Sequence, residues 1–380
     1  MKKNILIISP EYPPETGCGG IGTYVHDFSH IIQKLGNLNV DVLSVSYAVN
    51  QKYRDDGINI YRVKISRNPL LRYVAITKWI LRNYHKYDYI EDELFGGYCA
   101  FPRMILGKKF QYITKIHGTS REMLVLERYK TVVKRITISM TGVLERYSAR
   151  NSLAVISSCS LTSNYSFMLF DIDYSKQFTQ PLPYTNPVSG DYSGYKISLP
   201  DKYFLFVGRT QKKKGSQVLL NLIPKLLSRY KDFSFVILGA DIENFKKIFS
   251  NNTRVQFIDH TYDQTMYRHI INKSHITILP SQFESFLYTG LHTIQENVTI
   301  VISGNCGITE YFNDSGSGFV VKDVNSVEDY IEAIDQIMKN YEASKFNVKE
   351  LDNHLKNVLS PEIITKKYLK ILINSYEKQV

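Results

Sequence analysis

The sequence predicts an α/β protein made of two parallel-sheet domains in series. Three observations lead there. Strand-like and helix-like segments alternate through both halves of the chain. A turn-rich stretch separates the halves. The length of 380 residues exceeds one ordinary domain yet lets two domains each bury a core.

Taken in order, residues 5–9 read as a short buried strand, and Tyr24, Val25, Phe28, Ile31, Ile32 and Leu35 then recur at helical spacing until Gly36. Strand-like runs follow at residues 40–45, 58–65, 87–91, 110–116 and 153–157. From residue 186 the chain reads Asn-Pro-Val-Ser-Gly-Asp-Tyr-Ser-Gly, turn chemistry with little to bury, so the linker is placed at residues 186–200. The alternation restarts at 203–207, 235–239, 255–259, 276–279 and 299–303. The expected organisation is a Rossmann-like domain over 1–187, a second over 188–360, and a terminal helix at 361–380 that packs back on the first. Such domains face each other across a cleft between the carboxyl ends of two sheets, where α/β proteins bind ligands.

Composition limits the function classes. The apolar run at residues 5–8 is stopped by Ser9 and Pro10, too soon for a signal-peptide core. No stretch approaches the roughly 20 apolar residues of a membrane span. Cys18, Cys99, Cys159 and Cys306 show no metal-ligand or redox spacing, and a reducing cytoplasm is the expected compartment. The net charge of +11 is lopsided: residues 1–150 carry 23 Lys+Arg against 13 Asp+Glu, hence +10. Residues 101–150 alone hold 11 against 3. A basic face attracts phosphates, whether on nucleic acid, anionic lipid or a diphosphate-linked acceptor, unless it is merely solvated. No recognition motif accompanies the charge, so nucleic acid is not an expected partner. Residues 69–84 form an amphipathic basic segment with Trp79, suited to the inner membrane surface or to core packing.

Three loops carry chemistry. Glu11-Tyr-Pro-Pro-Glu-Thr-Gly-Cys-Gly-Gly-Ile-Gly22 lies between the first strand and helix, where backbone comes close to a ligand and free N–H groups favour anions. Val207-Gly-Arg-Thr-Gln-Lys-Lys-Lys-Gly215 offers Arg209 and Lys214 to phosphates; Lys212 and Lys213 read as solvated. Leu279-Pro-Ser-Gln-Phe-Glu284-Ser-Phe-Leu-Tyr-Thr-Gly-Leu-His292 ends a strand, presents a carboxylate and starts a helix near Leu287, and Asn305-Cys-Gly-Ile-Thr-Glu310 follows.

Gly-Gly-Ile-Gly, the His117-Gly118 pair after a strand, Gly-Arg-x5-Gly and Pro-Ser-x2-Glu-Ser-Phe occur in an order and spacing that resemble glycosyltransferase family 4, over nearly the whole chain. The resemblance implies the GT-B fold and retaining, metal-independent transfer from a UDP- or GDP-type sugar donor, a co-substrate, with no cofactor. It assigns Arg209 and Lys214 to the donor diphosphate, and His117 and Glu284 to the donor sugar. It places Gly19, Gly20, Gly22, Ser285, Phe286, Leu287, His292 and Glu310 around the donor. A glycan or lipid-linked acceptor in capsule or envelope synthesis is the implied partner, with peripheral contact to anionic membrane. Asp171-Ile-Asp173 mimics the metal motif of another glycosyltransferase fold but stands apart from these loops, and no metal ligand is assigned.

One departure matters. His292 stands where the family carries a second glutamate that accepts hydrogen bonds from ribose, and a neutral imidazole can accept only one. Asn297 and Thr299 replace a glycine and a proline nearby, and Cys306 replaces a glycine before Glu310. A catalytically silent, glycan- or partner-binding relative is therefore the alternative reading.

Overall fold

The computed structural model describes residues 2–14, 19–68, 71–126, 131–185 and 197–377. The chain forms two compact units, Met1–Pro183 with Leu359–Val380, and Tyr184–Val358. Most of the linker predicted at 186–200 lies outside the described residues.

The first unit holds an eight-stranded sheet of order β3-β4-β2-β1-β5-β6-β7-β8. Its strands are β1 Lys3–Ser9, β2 Leu38–Ser46, β3 Gln51–Asp55, β4 Ile58–Lys64, β5 Tyr89–Asp92, β6 Ile113–Ile116, β7 Val155–Ser157 and β8 Gln177–Thr179. All pair in parallel except β3, which runs antiparallel to β4. The hairpin turns through Asp56 and Gly57, both at positive φ, as a two-residue primed turn requires. Helices α1 Gly20–Leu35, α2 Arg72–Asn83, α3 Ala100–Leu106, α4 Ser120–Leu126, α5 Val132–Asn151 and α6 Ser160–Phe170 complete the alternation. Strand β1 is covered on both faces, which is why it reads as an unbroken apolar run rather than an alternating one.

The second unit has an all-parallel six-stranded sheet, β11-β10-β9-β12-β13-β14. Its strands are β9 Tyr203–Val207, β10 Ser234–Gly239, β11 Val255–Asp259, β12 Ile276–Leu279, β13 Thr299–Ser303 and β14 Val320–Val321. Helices α7 Ser216–Arg229, α8 Glu243–Ile248, α9 Gln264–Asn272, α10 Tyr288–Gln295, α11 Asp314–Ser317, α12 Val327–Lys339 and α13 Tyr341–Val358 belong to this unit. Tyr203, Leu205, Val236, Leu238, Ile270 and Ile271 form one buried core cluster. Helix α14, Pro361–Glu377, returns to the first unit. There Tyr368 is buried edge-on against Phe28 at 5.0 Å, and the Tyr376 hydroxyl accepts the Ile90 N–H at 2.8 Å.

The amphipathic segment predicted at 69–84 is realised as α2, with residues 69 and 70 outside the described set. Trp79 is half-buried and packs 5.1 Å from the Tyr61 ring, the core-packing use of the two open to this segment. Asp171 caps α6 in the left-handed region and faces Arg150 at 3.5 Å, while Asp173 accepts the Ser175 N–H at 2.9 Å.

Candidate functional site

In the second unit, two loops at the carboxyl ends of adjacent central strands are locked together by backbone. The turn after β9 leaves the strand at Gly208, whose N–H donates to Leu238 at 2.9 Å. It enters α7 at Gly215, with φ +80°, and a Cβ there would lie 2.0 Å from the Pro280 carbonyl oxygen. Only glycine meets both conditions. Gln282 N–H donates to the Lys213 carbonyl at 2.7 Å, holding the two loops in register.

That register sets Lys214 Nζ 2.7 Å from Glu284 Oε1, with both side chains largely covered at 21% and 14% exposure. Glu284 is fixed from behind: its N–H donates to Asn305 at 3.0 Å, and its carbonyl accepts from Gly307 at 2.9 Å. Burial pushes the Glu284 carboxyl up, but Lys214, then Lys213 and Arg209, more than offset this and hold it below its ordinary value. Glu284 is thus ionised at neutral pH, and Arg209, exposed, adds a third cation to the same field. The chain then passes Ser285 and Phe286 to Leu287, which sits at φ +86° and caps α10. A non-glycine residue there is unfavourable; it is accompanied by a buried Leu287 side chain and a helix amino terminus shortly after Glu284 in sequence. Phe286 accepts the Ile308 N–H at 3.0 Å, so the segment bearing exposed Glu310 is stitched to the same loop.

His292 lies on α10. Its Nδ1 is 3.1 Å from the Tyr267 hydroxyl, and Tyr288 stacks on the ring at 5.8 Å. Burial, then the charge of Arg268, holds its pKa well below the usual range, so the imidazole is neutral. One of its two nitrogens is committed inside the unit.

The first unit gathers a second group. His117 follows β6, and its Nε2 is 2.5 Å from Glu93 Oε2, while the Tyr24 ring on α1 lies 4.7 Å away. Burial, then the neighbouring Lys115 charge, lowers His117 to about 3. Burial raises Glu93 and Glu91 to about 8, and it lowers Lys115 to about 8. Of the three glycines singled out in the sequence, Gly19 precedes α1 beside Glu11. Gly20 faces open space, and the Gly22 N–H already donates to Glu11 Oε2 at 3.2 Å. Gly17 and Cys18 lie outside the described residues.

Arg209, Lys214, Glu284, Ser285, Phe286 and Leu287 therefore share one constellation, with Glu310 attached to it and His292 on the following helix. His117 and the glycines belong to the other unit. Sequence reasoning missed Glu93, Glu11 and Lys115. The available signal was the Glu91-Asp-Glu93 run at the end of a buried strand, since carboxylates there need a partner.

Residues 194–353 match the family described as Glycosyl transferases group 1. An uncharacterized glycosyltransferase of Methanocaldococcus jannaschii is 22% identical across 83% of this chain and 84% of its own length. The uncharacterized glycosyltransferase YqgM of Bacillus subtilis is 22% identical across 97% of each chain. Among solved structures, sucrose-phosphate synthase from Thermosynechococcus elongatus superposes over 99% of this chain and 100% of its own, with a TM-score of 0.78 at 16% identity. The match over residues 194–353 makes this segment similar to the group 1 glycosyl transferases, and the two α/β units with their solved neighbours show that the chain has the GT-B fold.

Proposed function

We propose that the chain is a retaining transferase that moves a sugar from a UDP- or GDP-type donor to a glycan or lipid-linked acceptor in envelope polysaccharide synthesis, at the cytoplasmic face of the membrane. The Lys214–Glu284 pair at 2.7 Å, with Arg209 beside it, carries the reading. Two cations at strand ends suit a diphosphate, and an ionised carboxylate suits sugar hydroxyls. In the transfer, the bond from the anomeric carbon to the diphosphate oxygen breaks while the acceptor oxygen bonds to that carbon from the same face. The acceptor proton passes to the departing phosphate oxygen. Arg209 and Lys214 stabilise the charge that grows on that phosphate. A thermal-shift panel of UDP-, GDP- and ADP-sugars tests the reading, because a ligand at 100 times its Kd adds about 2.7 kcal/mol. Silence across the panel would sink donor binding and favour a non-catalytic, glycan-binding relative.

His117 is read as the residue beside the donor sugar, with Glu93 positioning it. Below pH 8 the raised Glu93 carboxyl is protonated and donates a hydrogen bond to the Nε2 lone pair, which leaves Nδ1–H as the ring's own donor. Glu93→Gln, whose amide also donates, is expected to keep turnover within a few-fold. Glu93→Ala frees the ring and is expected to lower kcat by about 10-fold or more. Equal losses in both variants would show that shape alone matters at this position.

Membrane contact is assigned to the basic first unit. On α4 and α5, Val125, Val132, Val133, Ile136 and Val143 are exposed, Val133 at 73%, alongside Lys134 and Arg135. Apolar residues flanked by cations suit an anionic interface, with each cation contributing about 1 kcal/mol. Sedimentation with phosphatidylglycerol vesicles is expected at low salt, falling steeply as salt rises, and Val133→Asp/Ile136→Asp should abolish it. Unchanged sedimentation of the double variant would move the contact elsewhere.

A further inference from the structure

A cluster in the first unit lies outside all of this chemistry. His26 and His30 stand one turn apart on α1 and so share a face. Asp55 ends β3, at the tip of the β3–β4 hairpin. The two imidazoles lie 4.7 Å apart, centroid to centroid. One ligand atom from each of the three residues falls within 4.8 Å of the others.

The hydrogen bonds define what the rings offer. His30 Nδ1 is 2.7 Å from the His26 carbonyl oxygen, which only accepts, so Nδ1 carries the proton and Nε2 the lone pair. His26 Nδ1 is 2.8 Å from Asp27 Oδ1, a carboxylate that likewise accepts, and His26 Nε2 is left facing Asp55 Oδ2 at 3.7 Å. Asp55 is itself oriented, accepting the Tyr12 hydroxyl at 2.7 Å. Both rings are thus held through Nδ1 by a carbonyl or a carboxylate, the arrangement that fixes tautomer and raises basicity in metal-bound histidines. Ligands about 2.0–2.1 Å from a tetrahedral ion stand about 3.4 Å from one another. The His26–Asp55 separation exceeds that by a few tenths of an ångström, within the reach of a small side-chain rotation.

We propose that His26, His30 and Asp55 bind a divalent transition-metal ion, with water completing the shell, and that the ion ties α1 to the β3–β4 hairpin. Two imidazoles and one carboxylate select zinc over magnesium or calcium, which prefer all-oxygen shells. The role is structural. The sugar transfer proposed above takes no step through this ion, whose effect is to fix the helix that begins at Gly20.

The test uses tag-free, full-length protein stripped with chelator and titrated calorimetrically with zinc chloride. One zinc per chain is expected, with no heat from magnesium or calcium, and the thermal midpoint should rise by a few degrees. His30→Gln and Asp55→Asn should each weaken zinc binding by 10-fold or more and remove the thermal shift, while circular dichroism and a cooperative melt without zinc report that each variant is folded. If a variant fails to fold, the wild type still decides: zinc should protect His26 and His30 from diethyl pyrocarbonate, as read by peptide mass spectrometry. Absent saturable binding, unchanged affinity in either folded variant, or unprotected histidines would each overturn the site.

Discussion

Lys214→Ala is expected to lower turnover by about 10²–10³-fold, the loss seen when one preorganised charge is removed from a developing anion. Folding should hardly change, because Lys214 sits on a turn whose shape is set by Gly208, Gly215 and the Gln282–Lys213 backbone bond rather than by its own side chain. The substitution has a second consequence. Glu284 keeps its burial but loses its nearest cation, so its carboxyl should move upward from its depressed position. Activity remaining in Lys214→Ala should therefore fall off at higher pH on the acid side than in the wild type. Arg209→Ala is expected to reduce turnover comparably with a smaller displacement, since Arg209 contributes less than Lys214 to the field at Glu284. Steady-state kinetics over pH 4–8 with purified variants checks both statements. Wild-type turnover in both would remove these residues from the diphosphate.

Lys115→Met carries the largest expected effect on stability. Lys115 is fully buried, its Nζ 4.8 Å from the Tyr24 ring centroid and 5.6 Å from that of Phe28, and it faces the buried Glu91 and Glu93. Methionine matches its volume, so packing survives while the cation is lost. Glu91 and Glu93 have folded-state values near 8 against an ordinary 4.5. They take up protons on folding between those limits, so their contribution to stability declines as pH rises through the window. Without Lys115 both carboxyls rise further, and the decline continues beyond pH 8. The deficit of the variant should be small at pH 5, where both acids are protonated, and reach about 3 kcal/mol near pH 8, where the acids ionise while Lys115, itself lowered to about 8, still carries part of its charge. For a unit of this size that is a midpoint about 6–12 °C lower. Thermal melts at pH 5, 7 and 8 test this; a deficit independent of pH would mean that packing, not charge, is what Lys115 provides.

The parallel core was legible because its strands are local statements. β9, β11, β12 and β13 begin and end where apolar runs meet turn residues, at the residues read from the sequence. The edges were not. β8 and β14 have three and two residues, too short to show a period. β3 is polar and exposed along much of its length, and only the Asp56-Gly57 turn marks its hairpin. The Arg209, Lys214 and Glu284 constellation was visible as motifs, but the direct ion pair was not, because it depends on a backbone register between loops some 70 residues apart. The Glu93–His117 bond was hidden for a similar reason. Adjacent parallel strands bring together residues that periodicity cannot connect, and a carboxylate at the end of an apolar run resembles the beginning of a loop.

Helix α14 has a consequence for the order in which the protein can be made. The first unit needs Tyr368 and Tyr376 to cover Phe28, Glu91 and Ile90, yet these residues leave the ribosome after all of Tyr184–Val358. During synthesis the earlier segment must wait with part of its core uncovered while the later one already has every strand and helix it requires. Completion of the unit translated first is thereby made the last event. A nascent chain that has emerged through Val358 while α14 is still inside the ribosome should present a closed second unit together with an amino-terminal half that is still open to proteases and chaperones.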